Sequence, residues 1–213
     1  MKVQIFPGNP IQQNGSVVYN DQKDAVIIDP SCYERFEQQE LTDFIADNQL
    51  NVHAVLNTHC HIDHIAGNAF CVETFKVPLL AHKEELFTLS FADRSAQMYG
   101  LTAYIPSPEP TDFIEDKQVL RFGDLEFEVI FGPGHSVGHV AFYNAANHLL
   151  IGGDILFKGS FGRVDLPGGS MGVLKKTIHE RIFTLPDDTV VYPGHGPTTT
   201  IGDEKQTNYI LQF

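Results

Sequence analysis

The chain has 213 residues, of which 42% are hydrophobic and 19% charged, so it can bury a substantial core as a single domain, residues 1–213. Its 27 Asp and Glu residues outnumber its 14 Lys and Arg residues, and the formal net charge of -13 disfavours a nucleic-acid partner because it repels polyanions. We find neither an apolar secretion signal nor the roughly 20 apolar residues that a membrane span requires, and therefore expect a cytoplasmic protein without a membrane partner.

The first half of the chain predicts a β-meander followed by alternating helices and strands. Short β-prone segments come first, and an apolar stripe with helical spacing follows the turn at Asp29-Pro30. The predicted strands are 2–6, 15–20, 25–28, 52–57 and 78–81. The predicted helices are 33–48, 65–75 and 83–92.

The second half predicts two β-hairpins, a helix and a final strand. Residues 100–112 contain three prolines, which cannot continue a helix, so we expect a long loop there. A hairpin turns at Gly123-Asp124, and the later strands and helix follow it. The predicted strands are 118–122, 125–131, 140–143, 149–152 and 189–192, and the predicted helix is 171–183.

The densest chemical signal is the motif His59-x-His61-x-Asp63-His64, which directly follows the predicted strand 52–57. A transition-metal ion takes about four nitrogen, oxygen or sulfur ligands, and this loop offers at least that many. On an extended backbone His59 and His61 point the same way, whereas the neighbours Asp63 and His64 cannot both do so. Two ligand clusters are therefore favoured over one. The alternative is a solvated polar loop that is rich in histidine by chance.

Three later strand ends deliver further ligand candidates, and loops at strand ends commonly gather side chains into one site. These candidates are His135, Asp154 and His195. Seven donors are too many for one ion, so we predict two divalent metal ions, with zinc favoured and iron or manganese as alternatives. The predicted sets are His59, His61 and His135 for one ion, and Asp63, His64 and His195 for the other, with Asp154 bridging both.

Such a pair of ions indicates hydrolysis without a protein nucleophile. A hydroxide that bridges two ions can attack a carbonyl or phosphoryl group, and the ions stabilise the oxyanion that forms. Asp63 and Asp154 are the candidate catalytic carboxylates. The cysteines Cys32, Cys60 and Cys71 are an odd number without framework spacing, which predicts reduced thiols. Cys60 would point away from its neighbouring histidines, which favours a structural role for it.

The ligand residues and their separations resemble the metallo-β-lactamase superfamily over most of the chain. The resemblance implies an α/β fold, an αββα sandwich of two mixed β-sheets with outer helices and the metals at one edge. It also implies that Asp29 supports the metal-binding loop without itself binding metal. His139 lies outside the ligand pattern, and for it a supporting role and a purely structural role both remain open.

Within that superfamily, the segment from Gly153 to Arg163, GDILFKGSFGR, looks most like the glyoxalase II branch, the hydroxyacylglutathione hydrolases. This implies a thioesterase that cleaves S-D-lactoylglutathione or a related small-molecule thioester. Lys158 and Arg163 follow Asp154 in a Gly-rich loop, so we expect them to hold the anionic end of the substrate, with solvated surface charges as the alternative. Lactamases commonly have cysteine or another arrangement at position 154 and are exported. The chain resembles short bacterial members that lack a C-terminal helical domain, and Pro197 replaces a tyrosine that contacts glutathione. The resemblance therefore supports the fold and the metal site more strongly than the substrate.

Two other functions fit the same ligands. A mononuclear-iron persulfide dioxygenase would use this scaffold for a redox reaction, and a non-catalytic metal-binding module would keep the ligands without turnover. The sequence does not predict an oligomeric state. Oxygen consumption with a glutathione persulfide would favour the first alternative, and the absence of turnover by metal-loaded protein would favour the second.

Overall fold

The computed structural model describes every residue from Met1 to Phe213 and contains two six-stranded β-sheets with accompanying helices. Each sheet has both parallel and antiparallel neighbours, so the predicted α/β fold with two mixed sheets is confirmed. The chain divides into two compact units, Met1–Ile114 with Arg121–Glu126, and Glu115–Leu120 with Phe127–Phe213. The single domain spanning 1–213 stays a prediction.

The first sheet follows the order of the chain, β1 to β6. Its strands are β1 Lys2–Gly8, β2 Gln13–Tyr19, β3 Asp24–Ile28, β4 Asn51–Leu56, β5 Leu79–His82 and β6 Asp112–Ile114. Strands β1 to β3 form the predicted antiparallel meander, whereas β3 to β6 run parallel. Since the carboxyl ends of parallel strands meet at one edge, the loops after β3, β4 and β5 are brought together.

Helices cover this sheet where the chain has apolar positions at helical spacing. They are α1 Arg35–Asp47, α2 Asn68–Phe75, α3 Glu85–Leu89 and α4 Ala92–Met98. Helix α1 begins with a capping box formed by Glu34 and Glu37, which satisfies amide groups that a helix start leaves unpaired. Its residues Leu41 and Ile45 are buried in a cluster with β2, β3 and β4 side chains. Burying each such side chain stabilises the fold by about 1.5–3 kcal/mol.

The second sheet has the order β14-β13-β10-β9-β8-β7. Its strands are β7 Val119–Phe122, β8 Leu125–Phe131, β9 Val140–Asn144, β10 Leu149–Gly153, β13 Val190–Pro193 and β14 Thr199–Thr200. A separate hairpin consists of β11 Leu156–Phe157 and β12 Ser160–Phe161. Helix α5, Met171–Thr177, continues as a π-helical turn over Ile178–Ile182, α6 spans Ile201–Thr207, and 3-10 turns occupy Ala145–Asn147 and Tyr209–Gln212. All the helices are too short or too polar to serve as a membrane span.

Several predicted boundaries are corrected by the structure. The predicted helix 83–92 is broken at Ser90 and Phe91 into α3 and α4, and α4 continues to Met98. The predicted loop 100–112 ends in strand β6, and the predicted helix 65–75 begins only at Asn68. Strands β11, β12 and β14 and helix α6 were not predicted, because a strand of two residues has no alternating pattern and α6 has few apolar positions.

The β7–β8 turn belongs to the first unit, and a carboxylate of that unit holds it. Asp24 accepts hydrogen bonds from the Asp124 backbone N–H at 2.9 Å and from Asn20 at 3.1 Å, and it contacts His53 at 2.8 Å. Gly123 has a φ of +58°, and a Cβ there would lie 2.2 Å from the Asp24 carboxyl carbon. These donors, with the Asp124 amide as the largest influence, lower the pKa of Asp24 from 3.8 to about 2.

We expect Asp24→Asn to reduce stability at neutral pH and to make stability less dependent on pH in the acid range. Because the folded-state pKa is lowered, the contribution of Asp24 is fully present above pH 3.8 and is lost as the pH falls towards about 2. Urea unfolding at pH 7, 4 and 3 measures this, with the exposed carboxylate change Glu40→Gln as the control. An Asp24→Asn curve that runs parallel to the wild-type curve would contradict the assignment.

Candidate metal centre

The histidine-rich loop begins where β4 ends, so a strand in the sheet core fixes its starting point. His59, Asp63 and His64 are buried, and His61 is half-buried. The ring centroid of His59 lies 4.8 Å from that of His61 and 4.0 Å from that of His64. Three imidazoles packed this closely would repel one another if protonated, whereas neutral imidazoles are suitable ligands for a shared cation.

Asp29 anchors this loop from the end of β3. It is 2% exposed, and its backbone adopts the left-handed region with a φ of +48°. Its carboxylate accepts the Thr58 N–H at 2.7 Å and the Thr58 hydroxyl at 2.5 Å, and it lies 3.0 Å from His64 Nδ1. The His64 proton is therefore placed on Nδ1, which leaves the lone pair on Nε2 for a metal.

Asp29 is also a possible ligand by distance alone, since ligand atoms of Asp29, His59 and His64 lie within 4.8 Å of one another. Its oxygens are already engaged by Thr58 and by the Nδ1 side of His64. That use fits a residue that orients a ligand better than one that binds the metal. The geometry agrees with the supporting role that the sequence resemblance implies.

Further supports of the loop were not predicted from the sequence. The Cys60 N–H donates to Glu85 Oε2 at 2.7 Å, and Glu85 is only 1% exposed. Asn9 donates to the Asp63 carbonyl at 2.9 Å, and Asn57 donates to the His64 carbonyl at 3.1 Å. These partners lie in different elements, so no spacing in the sequence identifies them.

Cys60 is a buried thiol whose surroundings disfavour the thiolate form. It is 2% exposed and belongs to an apolar cluster with Tyr33, Ile62 and Ile65. Burial raises its pKa well above the usual value, and the carboxylates of Glu85 and Asp29 raise it further. The thiol is therefore protonated at neutral pH, which agrees with the structural role predicted for it.

In the second unit, Asp154 lies between two imidazoles. Its Oδ2 is 3.5 Å from His135 Nε2 and 3.7 Å from His195 Nε2. Two ligands that each lie about 2.1 Å from an ion at a tetrahedral angle are roughly 3.4 Å apart. The spacing is thus suited to metal coordination. Asp154 directly follows β10, whose last residue Gly153 has a φ of +52°, and the register with β13 shifts between Ile151 and Gly153.

The surrounding contacts orient these groups. His135 Nδ1 lies 2.7 Å from the Arg163 carbonyl oxygen, so it donates its proton there and keeps the Nε2 lone pair. Gly162 permits this approach, since a Cβ would lie 2.0 Å from the Asp154 carbonyl oxygen and 2.8 Å from His135 Nδ1. His139 is fully buried, and its Nε2 accepts the Asp154 backbone N–H at 3.0 Å. Of the two open roles for His139, the structure therefore favours support of Asp154.

The two predicted substrate contacts are both exposed, but they differ in their surroundings. Lys158 occupies the turn of the β11–β12 hairpin. The Arg163 guanidinium forms two hydrogen bonds of 2.7 Å with Asp165 and holds the pKa of that carboxyl at about 2. Arg163 is therefore engaged by a neighbouring anion, a pairing that was not predicted from the sequence.

Each unit thus contains a compact set of histidine and carboxylate groups. The first set is His59, His61, Asp63 and His64, with Asp29 beside it, and the second is His135, Asp154 and His195, with His139 beside it. Imidazole and carboxylate donors of this kind suit divalent metals. The combination of all seven ligands into one dinuclear centre stays a prediction.

Comparison with known proteins gives a consistent family match. A family model described as the metallo-beta-lactamase superfamily matches residues 8–195. The chain is 33% identical to the hydroxyacylglutathione hydrolase GloC of Haemophilus influenzae, over 99% of this chain and 98% of that protein.

Two solved structures are similar over nearly the full length. The crystal structure of BLEG-1 B3 metallo-beta-lactamase is 36% identical, with 100% of both chains covered and a TM-score of 0.90. The structure of TTHA1623 in a di-iron-bound form is 37% identical, with 97% of this chain and 98% of that chain covered and a TM-score of 0.86.

We expect Asp29→Asn to weaken metal binding by about 10- to 100-fold while the fold survives. Asparagine tolerates the left-handed backbone of this position, but it cannot accept all three donors and lacks the charge that favours the Nδ1–H form of His64. Competition with a chelator measures the affinity, and circular dichroism checks the fold. Asp21→Asn, at an exposed aspartate, is the control. Equal metal affinities for Asp29→Asn and wild type would refute the supporting role.

Proposed function

The chain belongs to the metallo-β-lactamase superfamily, and on this premise we propose that it is a metal-dependent thioester hydrolase of the glyoxalase II type. The proposed substrate is S-D-lactoylglutathione or a related small-molecule thioester. The single observation that carries the hydrolase proposal is the placement of one Asp154 oxygen between the Nε2 atoms of His135 and His195. The thioester is supported by the 33% identity to the hydroxyacylglutathione hydrolase of Haemophilus influenzae.

We assign the seven predicted ligands to two divalent ions. His59, His61 and His135 would hold one ion, Asp63, His64 and His195 the other, and Asp154 would contribute to both. His135 and His195 belong to different sets in this assignment, so the position of Asp154 between them supports a bridging carboxylate. Zinc suits these donors. Iron is also a candidate for the two ions, because the 37% identical TTHA1623 has been solved in a di-iron-bound form.

Divalent ions bound there would polarise the thioester carbonyl and activate water as the nucleophile. The protein itself contributes orientation. Asp29 and the Arg163 carbonyl fix the ring orientations of His64 and His135, and His139 fixes the backbone of Asp154. The burial of Cys60 and its raised pKa argue against this thiol as the nucleophile.

A thioester also places a small demand on these residues at the leaving group. A thiolate leaves with a pKa of about 8.5, so it departs near neutral pH without prior protonation. Cleavage of an amide or a β-lactam releases an amine nitrogen, which needs a proton donor. β-Lactam hydrolysis is nevertheless the second candidate, because the 36% identical BLEG-1 is described as a B3 metallo-beta-lactamase.

A substrate panel tests the proposal directly. Protein loaded separately with zinc and with iron is assayed on S-D-lactoylglutathione, an uncharged thioester, a chromogenic cephalosporin, and glutathione persulfide with oxygen uptake. We expect the highest kcat/KM on the glutathione thioester and no oxygen uptake. Higher kcat/KM on the cephalosporin would select the lactamase, and oxygen uptake by a protein with one iron would select the persulfide dioxygenase. Loaded protein that is inactive on every substrate would favour a non-catalytic metal-binding module.

We expect Asp154→Ala to lower kcat/KM by about 100-fold or more and to weaken binding of at least one ion, because a shared ligand is removed. Steady-state kinetics and elemental analysis measure the two effects, and circular dichroism checks that the fold is retained. Asp188→Ala, at an exposed aspartate of the same unit, should behave like wild type. An Asp154→Ala enzyme with two tightly bound metals and normal turnover would rule out the bridging assignment.

We expect Lys158→Ala to raise KM for a glutathione thioester roughly tenfold with little change in kcat, because a charge-assisted contact to the anionic end is lost in both ground and transition states. Turnover of an uncharged thioester should be unaffected. Arg163→Ala should have a smaller effect, since its guanidinium is already bonded to Asp165. Lys176→Ala, at an exposed lysine of α5, is the control. Equal losses of Lys158→Ala on both thioesters would instead indicate a structural effect.

A further inference from the structure

The hairpin that carries Lys158 is too short to determine its own position. Strands β11 and β12 have two residues each and are joined by the turn Lys158-Gly159, where Gly159 has a φ of +72°. Isolated two-stranded hairpins are at best marginally stable in water, and this one has only two residue pairs. Its position must therefore be set by contacts with other elements.

Apolar packing of Leu156 and Phe161 provides part of those contacts, and two buried polar side chains provide hydrogen bonds to the hairpin. Glu204 lies in α6 and is 1% exposed, and Asn208 follows α6 and is 2% exposed. The Gly159 N–H donates to Glu204 Oε2 at 2.8 Å. Asn208 Nδ2 lies 2.8 Å from the Ser160 carbonyl oxygen and 3.2 Å from that of Phe157. Backbone groups on both sides of the turn are thus bonded to the same two side chains.

The two side chains are also bonded to each other. Asn208 Nδ2 lies 2.6 Å from Glu204 Oε2, and the Thr199 hydroxyl donates to Glu204 Oε1 at 2.5 Å. A buried carboxylate is costly unless its oxygens accept hydrogen bonds, and here the hairpin supplies one of the donors. Displacement of the hairpin would leave that carboxylate with fewer donors, so the network resists movement of the turn.

The hairpin also contacts His195, one of the candidate ligands in the second unit. Leu156 is two residues beyond Asp154, and the ring of Phe157 packs edge-on against His195 with 6.0 Å between centroids. The same hairpin therefore carries Phe157 against a predicted metal ligand and Lys158 at its exposed turn.

We propose that Glu204 and Asn208 are positioning residues that fix the β11–β12 hairpin and so place Lys158 against the anionic part of the substrate. The inference rests on the proposed function for the identity of that substrate. Neither residue touches the reacting atoms in this scheme, and both act through the hairpin. Their loss should therefore affect binding of a charged substrate more than the chemical step.

The first experiment needs no activity. Trypsin cleaves after Lys158 when the hairpin opens, so metal-loaded Asn208→Ala and Glu204→Gln should be cut at Lys158-Gly159 about tenfold faster than wild type. Gln206→Ala, at an exposed residue of α6, is the control and should be cut at the wild-type rate. Glu204→Gln keeps the shape of the side chain and provides a second variant if Asn208→Ala does not fold. Unchanged cleavage in folded variants of both residues would overturn the inference.

The second experiment is a double-mutant cycle with Lys158→Ala. Asn208→Ala alone should raise KM for the glutathione thioester about fivefold, keep kcat, and leave an uncharged thioester unaffected, whereas in the Lys158→Ala background it should add no further loss. Additive losses, or a faster-cleaved hairpin with unchanged KM, would overturn the placement of Lys158. If wild-type protein turns over no thioester, the proposed function fails, and the tryptic comparison still decides whether the two side chains hold the hairpin.

Discussion

The histidine-rich loop depends on the contacts of the Asp29 carboxylate. This carboxylate accepts hydrogen bonds from Thr58 and lies beside His64 Nδ1. The parallel pairing of β3 with β4 brings Asp29 to this loop, because both strands end at the same edge of the first sheet. A buried carboxylate is tolerated only when donors surround it, and the loop supplies those donors. The loop conformation and the Asp29 charge therefore stabilise each other.

In the second unit, candidate ligands are also oriented by hydrogen bonds to buried groups, but the groups differ chemically. A backbone carbonyl, that of Arg163, engages Nδ1 of His135, and a neutral imidazole, that of His139, accepts the Asp154 N–H. In both units a protein acceptor engages the Nδ1 side of an imidazole, so that Nε2 would be the ligand atom in the proposed scheme. Candidate ligands that are already oriented before a metal arrives avoid the cost of reorganising buried groups during binding.

The strands that precede the candidate ligands could be predicted from the sequence where these strands have ordinary length. The strands that precede His59 and Asp154 have clear apolar patterns, and each delivers its ligand at its end. The sequence did not reveal Glu85, Asn9 or the Glu204–Asn208 pair, because their partners are distant in the chain and only the tertiary fold brings them together. The pairing of Arg163 with Asp165 had a local signal, since the two opposite charges are only two residues apart in the chain.

Charge adds a constraint on any anionic substrate. With a net charge of -13, the protein repels anions at long range, and that repulsion falls off within a Debye length of about 8 Å at physiological salt. Attraction must therefore come from cations close to the site, and the Arg163 guanidinium is neutralised by Asp165. Lys158 and the bound metals remain as the local positive charges of the proposed scheme. Since Lys158 lies on a hairpin of only two residue pairs, selectivity for an anionic thioester would depend on the contacts that hold this hairpin, among them the buried hydrogen bonds of Glu204 and Asn208.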